Sequence, residues 1–480
     1  MSFRKNSKIK WCFLITYSPY LMEFFGKLTK EIAKRGDESI LMVNSKIAEY
    51  SKLEYFPKDI NVFSRVEWSR NNYKKELKEF EGISWKEIFP DFCRNKLYKE
   101  NYQDWMRIVN QIYQFVNFVL REEKPDIIVS EMPAGLFSKI VYLVCQKYKI
   151  KYFGLVHSRF PGRIDIRDSK YTCFKYETLF KELNENNVSP EEKKFAGAFI
   201  ENFVSHRKLP SYIHFQISHF KNISLRKHLE KQLTIAKHWL KYVLKRKDFL
   251  YYDHESERML KYWLRYPKKV LKWRIKAIFS KKSFDSVNEN DKFFLYPLHV
   301  QPEHSTGALA SYFYNQLNTI TNIAFALPIP YKLYVKEHPL AFEGRSKEFY
   351  EGIKRIPNVV FLSSKEKTQE LINKSKGVVT LTSTVGMEAA MSGKPVYVFG
   401  DVFWKYHPLC RRINSFEELK QKIEQDLAKG VILSDLESVN IRFLLSYFKN
   451  TIAGDIYAAI ADKDTNDYGL IYNDIKRIFL

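Results

Sequence analysis

The sequence predicts an α/β protein with two Rossmann-type halves and a largely helical, basic stretch between them. Three observations carry that expectation. Apolar runs of strand length alternate with segments of helical period over residues 9–160. The same alternation returns from residue 291. Between the two, residues 165–285 show few strand patterns and are dense in Lys, His and aromatic side chains. At 480 residues the chain also exceeds one ordinary core, so more than one domain is expected. The expected division is 1–164, 165–285, 286–412 and a helical tail, 413–480, packing back on the first domain.

In the first half, residues 9–16 read as a buried strand. Leu21, Phe25, Leu28 and Ile32 recur at helical spacing, and Gly36 is placed to cap the end. Residues 39–43 are a second strand, while 50–100 are polar, aromatic and without a clear period. A helix over 103–122 stops before Pro125, and the strand 126–131 ends on the carboxylate Glu131. A helix over 135–148 and a strand over 152–156 complete the alternation. No GxGxxG is present, so a dinucleotide is not indicated.

In the second half, strands are expected at 293–298, 331–335, 358–362, 377–381 and 395–399. One helix over 306–327 places Leu309, Phe313, Leu317 and Ile320 on a single face and stops at Pro328. Ser415 and Glu418 match a capping box that opens a helix through Leu427.

Composition narrows the function classes. Apolar content of 45% and aromatic content of 16% mark a globular chain. The formal charge of +24 fits a solvated lysine-rich surface, an anionic membrane face or an anionic substrate. Nucleic acid is not an expected partner, because no zinc-finger, RNP or basic-zipper pattern occurs. Residues 261–282 carry nine basic and no acidic side chains, interleaved with Trp263 and Trp273. They read either as a membrane-interface helix or as a helix packed on its own domain. The five scattered cysteines include no CxxC, so neither a disulfide framework nor a structural metal is implied. No apolar run is long enough to span a bilayer, so the expected setting is cytoplasmic, with peripheral contact at the inner membrane.

Three polar signatures follow predicted strands of the second half. The ends of neighbouring strands in an open α/β sheet share one crevice, so the three are expected to line one pocket. The last is Ser383-Thr384-Val385-Gly386-Met387-Glu388. Free N–H groups at that helix start would bind a phosphate, aided by the Ser383 and Thr384 hydroxyls. Gly386 would let the ligand approach the backbone, and Glu388 would accept from ribose hydroxyls. The alternative is that Ser383 or Thr384 only caps the helix. In Lys336-Glu337-His338-Pro339, proline fixes the turn, His338 would meet a phosphate or move a proton, and Lys336 adds charge. In Gln301-Pro302-Glu303, Glu303 would hold a sugar hydroxyl or orient His338.

In the first half, Glu131 is the candidate general base or nucleophile, with Asp165 and Asp168 as rivals. His157, Arg159 and Arg163 are candidates for holding an anionic acceptor group. The alternative is a plain ion pair between Glu131 and an arginine. Asp462-Lys463-Asp464 is the one DxD, and no metal is inferred from it.

In this order, with Gly393-Lys394-Pro395-Val396 after them, the signatures resemble the C-terminal half of bacterial capsule polysaccharide biosynthesis proteins, the β-Kdo transferase-like enzymes. The resemblance covers roughly residues 291–410. It implies a GT-B fold, with two Rossmann-like domains facing a cleft. It also implies a nucleotide-sugar donor, CMP-linked first of all, a glycan or glycolipid acceptor, and no metal or other cofactor. On it, Gln301, Glu303, His338, Ser383, Thr384 and Gly386 would line the donor site. It places no catalytic carboxylate. A looser similarity is to polymerases that transfer glycerol phosphate from a CDP-linked donor. A third reading is a non-catalytic scaffold holding an anionic polymer or membrane.

Overall fold

The structure is a computed structural model. It describes residues 8–16, 19–75, 84–87, 101–133, 135–167, 175–184, 186–206, 230, 233, 236–237, 240, 249–256, 284–301, 303–339, 345–460 and 464–479. The basic segment 261–282, Asp168, Pro302, Asp462 and Lys463 lie outside those residues. The chain divides into two compact units. One comprises Met1–Cys173, Leu209–Arg265 and Asn450–Leu480, and the other Phe174–Lys208 and Tyr266–Lys449.

The first unit is built on a seven-stranded sheet. Its strands are β1 (Lys10–Ile15), β2 (Glu38–Val43), β3 (Asn61–Ser64), β4 (Ile127–Glu131), β5 (Lys151–His157), β6 (Arg163–Arg167) and β13 (Ile452–Ala453), in the order β13-β6-β5-β4-β1-β2-β3. β1 to β5 are parallel, and β6 and β13 are antiparallel additions. Alternate residues of β1 feed two cores. Trp11, Phe13 and Ile15 pack with Phe25 and Leu28 of helix Pro19–Lys34. Cys12 and Leu14 pack with Ile112 and Val116 of helix Tyr102–Glu123. Burial on both faces is why the strands read as unbroken apolar runs.

The second unit carries β7 (Phe293–Pro297), β8 (Lys332–Lys336), β9 (Val359–Leu362), β10 (Val378–Thr380), β11 (Val396–Val398) and β12 (Cys410–Arg412). Their order is β12-β11-β10-β7-β8-β9, all parallel. Counted within the unit this is 3-2-1-4-5-6, the doubly wound order that reverses between its first and fourth strands. Both units are therefore the expected α/β class with parallel sheets.

Several elements differ from expectation. The single helix over 306–327 is broken into His304–Gly307, a 3-10 turn at Ser311–Phe313, and helix Gln316–Ala326. The break has a local cause. Asn315 Oδ1 accepts from Asn318 N–H at 3.2 Å and starts a new helix, and the Gln316 amide pairs with both backbone groups of His299 at 2.9 Å. The capping box at 415 is half formed. Ser415 Oγ accepts from Glu418 N–H at 3.1 Å, but the Glu418 carboxylate accepts from Asn414 N–H.

Helices Lys175–Glu182 and Pro190–His206 lie in the stretch expected to be helical, although residues 165–167 belong to β6. Residues 249–256 join the first unit. There Asp253 accepts from Lys46 N–H at 2.9 Å at the start of helix Lys46–Lys52. The stretch expected to form the tail divides at residue 450. Helices Phe416–Lys429 and Leu436–Lys449 belong to the second unit, and only the residues beyond return to the first.

Gly26 shows how tightly the first unit is packed. A Cβ at this position of helix Pro19–Lys34 would sit 2.2 Å from the carbonyl oxygen of Tyr55, a backbone atom that cannot swing away. Gly26→Ala is expected to lower stability by about 1–3 kcal/mol, the usual cost of overpacking. The check is the midpoint of denaturant unfolding, and an unmoved midpoint contradicts this packing.

Candidate functional site

β10, β7 and β8 are neighbours in the second sheet and run parallel, so their carboxyl ends lie on one edge. Register pairs Pro297 with Lys336, so the loops carrying the first two signatures leave at the same level. The structure thus brings the three strand ends together, at the place where strand order reverses.

The turn after β10 is the most ordered part. Helix Thr384–Met391 starts on Ser383, whose Oγ accepts from Val385 N–H at 3.3 Å. Thr380 Oγ1 accepts from Ser383 N–H at 3.0 Å, and Gly386 N–H bonds the Ser383 carbonyl at 3.0 Å. Thr382 N–H donates to His299 Nε2, also at 3.0 Å. The expectation of several free backbone donors is corrected: four of the N–H groups between 382 and 386 are already paired inside the protein. What the turn offers a ligand is the positive helix end and side-chain donors.

Gly386 is corrected too. It does not open the backbone to a ligand. A Cβ there would lie 2.6 Å from Trp404, 3.0 Å from Thr380 and 3.1 Å from Val396. The glycine lets the helix settle onto the sheet. Thr384 is the first helical residue, and it and Glu388 are both half-buried.

After β8, Lys336 is buried and its Nζ donates to the Ser364 carbonyl at 3.0 Å. It ties two loops together and is not an exposed charge for a ligand. Glu337, passed over in the sequence, organises this corner. One carboxylate oxygen accepts from His338 N–H at 2.7 Å and the other from the Tyr350 hydroxyl at 3.0 Å. Arg345 lies 3.5 Å from the same carboxylate and donates to the His299 carbonyl. Burial, and then the Glu337 charge, push the Tyr350 phenol up, so it stays a donor. His338 is half-buried on the turn that Glu337 holds.

After β7, the Gln301 amide donates to the Tyr314 carbonyl at 2.6 Å, which makes it a loop brace. Glu303 is exposed and accepts from Ser305 Oγ at 3.1 Å. The residue that sequence reasoning missed is His299. It is buried, and its pKa is lowered to about 3, first by burial and then by His338 and Arg345. Its signal was position alone, since it lies two residues before Gln301.

In the first unit, Glu131 ends β4 beside β1, the corresponding reversal point of that sheet. Its carbonyl accepts from the Tyr152 hydroxyl at 2.9 Å. His157 ends the adjacent β5, with its pKa lowered to about 3 by burial and then by Arg159 and Arg167. It is therefore a neutral ring and not a cation for an anion. Arg163 is corrected as an acceptor residue. Its Nε donates to Thr451 Oγ1 at 2.9 Å and it also bonds the Thr451 carbonyl, fastening the returning strand β13 to β6. Asp165 pairs with Arg167 at 2.6 Å and is buried, which removes it as a rival to Glu131. Arg159 is half-buried on the turn between β5 and β6.

Among the described residues, no three His, Cys, Asp or Glu side chains form a group that could hold a metal ion, and no helix is long and apolar enough to cross a membrane.

Residues 208–443 match the family described as capsule polysaccharide biosynthesis protein. Over 143 residues the chain is 29% identical to Protein FixF of Sinorhizobium fredii, covering 29% of this chain and 34% of that one. The match thus spans about a third of that relative's length. Among solved structures, the chain is similar to the KpsC β-Kdo 2,7 transferase of Thermosulfurimonas dismutans. That likeness has 12% identity and a TM-score of 0.38, over 79% of this chain and 98% of that chain. It is also similar to UDP-GlcNAc 2-epimerase from Neisseria meningitidis, at 12% identity and a TM-score of 0.29, over 98% and 100%. These likenesses are loose.

The buried histidines give the fold a pH dependence. His299 and His407 have pKa values lowered to about 3 and about 4, below the ordinary 6.5 that they regain on unfolding. The unfolded chain then binds more protons below pH 6.5, so stability is full above that pH and falls as pH drops toward 4. His407 is held by Asn440 at 3.1 Å and by Leu409 N–H at 3.2 Å. Urea midpoints measured from pH 7 to 4 should fall steadily, and His407→Gln should flatten the slope. A midpoint indifferent to pH across that range contradicts the neutral buried rings.

Proposed function

We propose, from the match of residues 208–443 to the family described as capsule polysaccharide biosynthesis protein, that the chain is a glycosyltransferase of surface-polysaccharide assembly. It moves a sugar from a nucleotide-linked donor to a glycan or glycolipid acceptor. The observation that carries the reading is the meeting of three polar signatures at the carboxyl ends of β10, β7 and β8, inside the matched segment.

The donor phosphate sits at the start of helix Thr384–Met391, where the helix dipole favours an anion. His338 lies on the neighbouring strand end, where it stabilises charge on the departing phosphate. The donor is CMP-linked and its sugar acidic, Kdo or a relative, as the sequence resemblance suggests. No metal or other cofactor takes part in this reading. At the carboxyl edge of the first sheet, Glu131 is the candidate base or nucleophile. The basic charge of the chain suits an anionic acceptor or a peripheral contact with an anionic membrane.

His338→Ala is expected to lower transfer by about 100- to 10,000-fold while thermal unfolding stays close to wild type. Unchanged turnover removes His338 from the mechanism. A thermal-shift series with CMP, CDP, UDP and GDP reports the donor. Stabilisation by CMP supports the proposal, CDP in its place points to glycerol-phosphate transfer, and no response to any of the four argues for a non-catalytic scaffold.

A further inference from the structure

The reversal of strand order in the second sheet lies between β7 and β10. One side chain spans it. His299, just beyond β7, accepts the Thr382 N–H through Nε2 at 3.0 Å, and Thr382 lies just beyond β10. Because Nε2 is the acceptor, the neutral ring carries its proton on Nδ1. That nitrogen makes no hydrogen bond of ordinary geometry among the described residues, where only the Gln316 amide acts on the ring as a hydrogen-bonding side chain besides its Thr contacts, although His299 is only 5% exposed. The Thr382 hydroxyl, at the other end of the same contact, also has none and is 7% exposed. Polar groups buried this deeply in folded proteins are nearly always satisfied. Both residues flank the turn that leads into helix Thr384–Met391, where the N–H groups of Ser383, Val385 and Gly386 are already paired.

We infer that His299 is a ligand-positioning residue: through Nε2 its ring holds the Thr382–Ser383 turn to the end of β7, and it offers Nδ1–H to an anionic oxygen of the ligand. The ring in effect takes up one backbone donor and presents another from its second nitrogen. The chemical class recognised is a phosphate oxygen of the donor nucleotide, and on that point the inference rests on the reading given above.

The groups that bear on the ring's charge are His338 and Arg345, which disfavour its protonation, and Gln316, which favours it. Tyr296 lies beside it, with ring centroids 6.2 Å apart. A protonated ring would have donors on both nitrogens and would lose the bond to Thr382. The site therefore depends on a neutral histidine, and the donor it offers does not titrate through the physiological range.

The experiment compares wild type, His299→Leu and His299→Gln. Glutamine keeps an acceptor for Thr382 N–H and a donor beyond it, whereas leucine keeps neither. In titration calorimetry with CMP, His299→Leu should weaken binding by about 10- to 100-fold and His299→Gln should restore most of it. If leucine merely loosens the fold, thermal stability falls while CMP affinity holds, and the inference is overturned. NMR of ¹⁵N-histidine-labelled wild type gives a readout independent of any variant. His299 should show the Nδ1–H tautomer from pH 8 to 5, and its Nδ1 proton should shift when CMP is added. A ring that titrates near its ordinary pKa, or a proton signal that CMP leaves unmoved, also overturns it. Should wild type bind no nucleotide, the nucleotide-sugar reading fails, and inorganic phosphate becomes the probe for the same three proteins. If wild type binds neither CMP nor phosphate, both readings fall.

Discussion

The second unit depends on β7 being the strand from which the sheet grows in both directions. It pairs with β8 on one side and β10 on the other, each parallel to it. Parallel pairing requires each connection to cross back over a face of the sheet, and helices serve as those crossings. All the strands then end at one edge. Loops separated by scores of residues leave from adjacent points there. The polar signatures have a shared location for this reason alone.

That edge is held by contacts made before any ligand arrives. Glu337 fixes the His338 backbone and is itself held by Tyr350 and Arg345. Arg345 and Gln316 both bond the backbone of His299, and His299 bonds Thr382. The loops after β8, β7 and β10 therefore form one hydrogen-bonded chain. Loops already ordered do not lose further conformational freedom on binding, which favours affinity. Beneath them, the helix seat at Gly386 leaves no room for the 384–391 segment to shift toward the sheet.

How much of this was legible in the sequence follows from the range of each interaction. Apolar runs such as 10–15 and 293–297 mark buried parallel strands by themselves, because both faces of each strand are covered. The break in the 306–327 helix was hidden. A cap at Asn315 competes with a continuous apolar face, and the pattern does not say which prevails. Arg163 read as a free cation because its partner, Thr451, lies 288 positions away. His299 escaped notice for a similar reason, since its partner is 83 positions away and a histidine after a strand has no local signature. Lys336 and Asp165 were misjudged because residue type announces charge, whereas burial and pairing decide whether the charge is available. The three signatures were visible because each is short and contiguous, and the sheet adds only their adjacency.

The return of residues 450–480 to the first unit bears on how the chain is made. β13 completes the antiparallel edge of the first sheet, and helix Tyr468–Phe479 covers a core that also contains Trp11 and Leu28. A ribosome delivers the parallel strands of that unit well before β13 and the covering helix. During synthesis the early core lacks its lid while the whole second unit emerges and can fold as an insert. The nascent chain thus carries an uncovered apolar face until residues 452–479 arrive, a burden for the chaperones that attend it rather than for the finished protein.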